Sequence, residues 1–117
     1  MKDDRIFLEH ISECLQWIEK HLTEGGRAAF FNDRKTQSAV LRELQTLAES
    51  TQRLSAELKE AHQGVYWRGI AGFRNILAHD YLGIKLERVW DIIERDLPAL
   101  KQAVNAMRGK FDEQQDL

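Results

Sequence analysis

The strongest constraint on this chain is the spacing of its apolar residues toward the C-terminus. Leu86, Val89, Trp90, Ile93, Leu97, Leu100, Val104 and Met107 recur mainly at steps of three and four. An α-helix turns about 100° per residue, so this spacing gathers them on one face. The stripe keeps its phase through Pro98, the single proline, which is therefore read as a kink inside a continuing helix. Phe7, Ile11, Cys14, Leu15, Ile18 and Leu22 repeat the pattern from about Asp3 to Glu24. Asp3 or Asp4 can cap that helix at its start, and Gly25-Gly26 can stop it. A second helix is expected to open at Asn32 or Asp33 and run to about Ala61, with Thr51 as a weak spot. A third spans about Tyr66 to His79. No segment alternates with the two-residue period of a half-buried strand. The expectation is an all-α, antiparallel four-helix bundle, one domain over residues 1–110 with a polar tail at 111–117.

Composition narrows the function classes. The net charge of -2 argues against coating nucleic acid by bulk positive charge, so any contact with RNA or DNA needs a local cluster of cations. The single cysteine, Cys14, excludes an internal disulfide and falls on the first apolar stripe, where a buried small hydrophobe is expected. The opening "MKDDRIFLEHISECL" lacks the apolar run of a signal peptide. Ala28–Phe31, the longest unbroken apolar run, is far short of the roughly 20 residues of a membrane span. A cytoplasmic protein with no membrane partner is expected. His10, His21 and His62 are scattered, with no His-x-x-x-His or Cys-x-x-Cys spacing, so neither a metal nor another cofactor is expected.

The third helix holds most of the chemistry, in the stretch "RNILAHDY". On a helical wheel Tyr66, Ile70, Phe73 and Leu77 fall within about 60° and form the core face. Arg68, Gly72, Asn75 and His79 make a second stripe, with Arg74 on its shoulder. That face carries none of the Glu and Lys that cover solvated faces elsewhere in the chain; it interleaves Arg, Asn and His with Ala and Gly. Small residues let another backbone or a ligand approach. His79 can take and give a proton near neutral pH, and Arg74 offers a permanently charged fork suited to phosphate. RNA phosphodiester cleavage needs those two functions. One histidine does not readily serve as base and acid together, but a two-fold dimer brings two copies of the stripe together. Each residue alone has an ordinary structural reading: a salt-bridged Arg, a helix-end His, small residues for close packing. Arg68 stands evenly between phosphate binding and a surface salt bridge, and Trp67 and Trp90 read as packing residues before base-stacking ones.

"RNILAHDY" resembles the signature of the HEPN superfamily, and within it the HepT-like toxins: an Arg, a polar-led spacer, a His, and a Tyr two places on. Arg74, Asn75, His79 and Tyr81 match each element. "YWRGIAGF" is similar to the segment before the motif, "LERVWDIIERDLPAL" to the last helix, and "AVLRELQTLAES" to the second, although Ala48-Glu49 stands where a Gly-Glu pair is usual. The likeness covers nearly the whole chain. It implies a HEPN-type bundle, a homodimer or higher oligomer with the motif in a cleft between subunits, and metal-independent cleavage of RNA. Arg74 and His79 would be catalytic and Asn75 supporting. It further implies a toxin-antitoxin pair in which a cognate nucleotidyltransferase transfers AMP to Tyr81, the added phosphates blocking RNA. The competing reading is a non-catalytic, substrate-binding subunit of a nucleotidyltransferase, against which an intact Arg74 and His79 argue; a plain dimerisation bundle is a third.

Overall fold

The structure, a computed structural model, describes residues 2–79 and 85–115, with side chains described for 4–74 and 85–113. The elements are α1 (Lys2–Leu22), α2 (Gly26–Asn32), α3 (Arg34–Gln52), α4 (Ala56–Glu60), α5 (Trp67–His79), α6 (Leu86–Asp91), a π turn (Ile92–Asp96) and α7 (Leu97–Gln115). The fold is all-α. Among the described residues no helix is long and apolar enough to cross a membrane.

The apolar stripes meet in one core. Leu8, Ile11, Leu15 and Ile18 of α1 pack with Val40, Leu44 and Leu47 of α3, with Ile70 and Phe73 of α5, and with Leu100, Val104 and Met107 of α7. Cys14 joins them as expected, 4% exposed. Burial of a whole Leu, Ile or Phe side chain contributes roughly 1.5–3 kcal/mol, which makes these stripes the main source of cohesion. A set of ion pairs fixes how α1 and α7 run. Arg5 lies 3.5 Å from Asp112, Arg108 bonds Glu9 at 2.9 Å, and Lys101 reaches Glu19. Residue numbers rise along one helix as they fall along the other, so the pair is antiparallel.

Asp33 caps α3 as the sequence suggests: it accepts from Lys35 N–H at 3.2 Å and from the Thr36 hydroxyl at 2.6 Å. The Thr36 bond holds the Asp33 carboxyl below the usual carboxylate range. Between α1 and α2 the chain turns on Gly25, whose φ of 152° disfavours any side chain and whose added Cβ would meet that of Ala29 at 2.7 Å. α2 was not expected. It exists because Phe30 has somewhere to go: the ring is fully buried, with its centroid 5.6 Å from that of Trp90.

Three expectations need correction. The second long helix does not reach Ala61. It ends at Gln52, and a new helix starts at Ala56 with Ser55 as N-cap, its hydroxyl accepting from Leu58 N–H at 3.3 Å. Leu54 and Leu58 preserve the helical phase across the break, which hides it from periodicity. Asp4 does not cap α1, which begins at Lys2. It is buried, and its carboxylate accepts the Ser55 N–H at 2.7 Å, tying the first turn of α1 to the α3–α4 joint. Tyr66 is not a core residue. It precedes the first turn of α5 and is 60% exposed, its ring lying over Gly69 where a Cβ would come within 2.4 Å.

The helix does continue through Pro98, and the π turn shows how. Proline lacks the N–H that would bond the carbonyl four residues back. Just before it, Leu97 N–H donates to the Ile92 carbonyl, five residues back. A π turn accommodates one extra residue. In an unbroken α-helix Val89 and Leu97 would stand about 80° apart; absorbing one residue brings them within about 20°. Both are buried in the core.

Candidate active site

The residues of interest lie on α5 where it passes the end of α3. Ile70 and Phe73 anchor α5 in the core, 1% and 2% exposed. Their burial turns the intervening positions outward. Arg68 is exposed, and a Cβ placed on Gly72 would meet nothing within 4 Å. The face around Gly72 is therefore open, whereas Gly69 is covered by the Tyr66 ring. Asn75 and His79 belong to the helical backbone of α5, in register with Arg68 and Gly72. Their side chains lie outside the described residues, as do Leu77 and Tyr81.

Arg74 is exposed and oriented. Its Nη1 donates to Oε1 of Gln52 at 2.8 Å, across 22 positions of sequence. The partner is a neutral amide, so the guanidinium is held without losing its charge to a counterion. Among the described residues none of the ion pairs involves Arg74. Glu49, Gln52, Arg53 and Arg74 enclose a polar surface cleft of about 410 Å³ between α3 and α5. Three of these four were absent from any site read off the sequence. Gln52 and Arg53 carry no motif; only the helix break beside Thr51 hints that side chains there turn away from the core. Glu49 was noted as part of a helix pattern, and its neighbour Ala48 is buried at the α3 seam.

Other candidates resolve into structure. Trp67 Nε1 donates to the carbonyls of Lys59 and His62 at 3.1 and 3.0 Å, closing the end of α4. Trp90 Nε1 donates to Glu94 at 2.8 Å, and its ring sits against Phe30 and Phe31. Burial first, then the charge and hydrogen bond of Glu43, push the Cys14 thiol up to about 12, so it stays protonated and is a poor nucleophile. His21 stacks on Trp17 at 5.8 Å and His10 meets the Phe7 edge at 6.0 Å. Among the described residues no three His, Cys, Asp or Glu side chains are grouped so as to hold a metal ion.

An all-helical bundle that presents an oriented arginine, in no ion pair among the described residues, on an open helix face is a scaffold suited to anionic substrates. Comparison with known proteins gives that scaffold its family: residues 11–107 match the family described as Ribonuclease HepT-like, and the chain belongs to it. It is 33% identical over 106 residues to "Probable ribonuclease HepT" of Thermococcus cleftensis, covering 91% of this chain and 90% of that one. It is 30% identical over 110 residues to "Putative RNase TTE0752" of Caldanaerobacter subterraneus, covering 94% and 98%. A 30% identity over 111 residues links it to "Gamma-glutamylcyclotransferase and putative RNase MJ0434" of Methanocaldococcus jannaschii; that match takes in 95% of this chain but only half of the longer relative. No solved structure matches the chain.

Proposed function

We propose that this protein is a ribonuclease toxin that cleaves RNA without a divalent metal, at a site formed where two copies of α5 meet in a homodimer. The observation that carries the reading is Arg74: exposed, aimed by Gln52, and not neutralised by a carboxylate among the described residues, in a chain of the Ribonuclease HepT-like family. Arg74 binds the scissile phosphate and stabilises the charge that builds on it. His79 of one subunit takes the proton of the ribose 2′-hydroxyl. The oxygen attacks phosphorus, the bond to the 5′-oxygen breaks, and a second His79 returns a proton to that oxygen. The products are a 2′,3′-cyclic phosphate and a 5′-hydroxyl. Asn75, four positions before His79, supports the imidazole. Tyr81, two residues past His79, is the position where a partner nucleotidyltransferase attaches AMP; the added negative charge then repels RNA.

The test is RNA cleavage by the purified protein in excess EDTA. Wild type cleaves, leaving cyclic phosphate ends, while Arg74→Ala and His79→Ala retain the fold by circular dichroism and lose cleavage at least 100-fold. Cleavage that disappears in EDTA, or that both variants retain, refutes the assignment. Intact mass after co-expression with the partner transferase tests Tyr81: AMP units are added to wild type and not to Tyr81→Phe.

A further inference from the structure

We propose that the cleft between the end of α3 and α5 is a subsite for an RNA phosphate next to the scissile one, with Arg53 as its principal ligand. The inference rests on the proposed action on RNA and adds to it a residue that no motif contains. Four side chains form the cleft walls, and two of them are guanidinium groups, Arg53 and Arg74. They arrive from different directions. Arg74 comes from α5 and is held by Gln52 at 2.8 Å. Arg53, the C-cap of α3, lies over the Phe7 ring of α1, its Cζ 5.6 Å from the ring centroid. Both are thus restrained without being neutralised, since an amide and an aromatic face leave the charge intact.

Three other cations are paired with carboxylates: among the described residues Arg5, Lys101 and Arg108 make ion pairs at the α1–α7 seam. Arg53 and Arg74 make none of them. The cleft also holds one carboxylate, Glu49; with Arg74 given to the scissile phosphate, Arg53 is the cation left to face the neighbouring one. Its volume of about 410 Å³ lies in the lower part of the roughly 300–1,000 Å³ range of small-ligand clefts. The C-terminal end of α3 works against an anion, because its last carbonyls carry the negative end of the helix dipole. Affinity must therefore come from the guanidinium groups, and Glu49 opposes it. This makes the two charged walls separable: removing Arg53 weakens RNA binding, and removing Glu49's charge strengthens it. A merely structural role would not give opposite signs.

The experiment uses the full chain and a 2′-O-methyl oligoribonucleotide, which lacks the attacking hydroxyl and cannot be cut. Fluorescence anisotropy is followed across a salt series. Arg53→Gln is expected to raise Kd about 5- to 10-fold and to flatten the log–log salt slope by about 0.7, one phosphate contact on a single strand. Arg53→Lys restores most of both, and Glu49→Gln tightens binding about 2-fold or more. Wild-type Kd and slope for Arg53→Gln, or weaker binding by Glu49→Gln, overturns the subsite. Opposite shifts in a protein that cuts no RNA leave the subsite standing and remove the nuclease reading. Cleavage by wild type with no effect of Arg53→Gln on binding does the reverse.

Discussion

Asp4→Ala is expected to destabilise this protein by about 1.5–3 kcal/mol, the usual worth of a hydrogen bond to a charged group. The carboxylate is 4% exposed and accepts the backbone N–H of Ser55 at 2.7 Å, so truncation strands a donor where water has little access. Ser55 is itself the N-cap of α4, and loosening it loosens the cap bond to Leu58 N–H. At roughly 3–5 °C per kcal/mol for a chain of this length, the thermal midpoint should fall by roughly 5–15 °C. Asp4→Asn keeps an acceptor oxygen at the same place and should recover at least half of the loss. Urea unfolding followed by circular dichroism and tryptophan fluorescence provides the free energies. The reasoning is refuted if Asp4→Ala unfolds within about 0.5 kcal/mol of wild type, or if Asn is no better than Ala. Because the same joint carries Gln52 and Arg53, Asp4→Ala should also weaken RNA binding more than a surface substitution of equal charge on α7.

Gln52→Ala releases the Arg74 guanidinium and should lower kcat/KM for RNA about tenfold, equivalent to about 1.4 kcal/mol. Gln52→Glu should lower it further by pairing with Arg74, and neither should move the urea midpoint by more than the equivalent of about 0.5 kcal/mol. Cys14 has its thiol pKa raised by burial from 9.0 to about 12 in the folded chain, so the folded state holds that proton longer than the unfolded one. Its contribution is intact below pH 9 and is lost as pH rises toward 12, with a slope of up to about 1.4 kcal/mol per pH unit. Stability against pH should show that decline in wild type and not in Cys14→Ala, and the native thiol should resist alkylation at pH 8. Trp67→Phe removes the indole N–H that the Lys59 and His62 carbonyls share and should cost about 1 kcal/mol in urea unfolding.

The long helices could be read from sequence because burial alone sets their stripes. Leu44, Leu47, Ile70, Phe73, Leu100 and Val104 sit where a period of 3.6 puts them. The break after Gln52 was hidden because Leu54 and Leu58 stay in phase on both sides; its local signal was Ser55, a cap residue with Glu57 in the turn behind it. Tyr66 shares the phase of the α5 core without sharing its helix, and the glycine three residues on takes the ring outside. At the site, the Arg74 position was visible as a motif. Gln52 and Arg53 were not, since their role depends on which end of one helix lies beside another, and periodicity within a helix carries no such information. That Ala48 is buried while Glu49 faces the cleft follows from neighbours on α3 pointing about 100° apart.

The π turn before Pro98 makes the last helical run tolerant of one change in length and intolerant of the opposite one. Deleting one residue from 92–96 would relax that turn to an ordinary α-helix, and because the turn already absorbs one residue, everything beyond it would keep its phase with Val89. Leu100, Val104 and Met107 would stay in the core, and Lys101 and Arg108 would still reach Glu19 and Glu9. Inserting one residue has no such slack to draw on and would turn the α1–α7 seam by about 100°. The segment 92–96 therefore holds a spare tooth: the chain can lose one residue there and keep its gearing, but it cannot gain one.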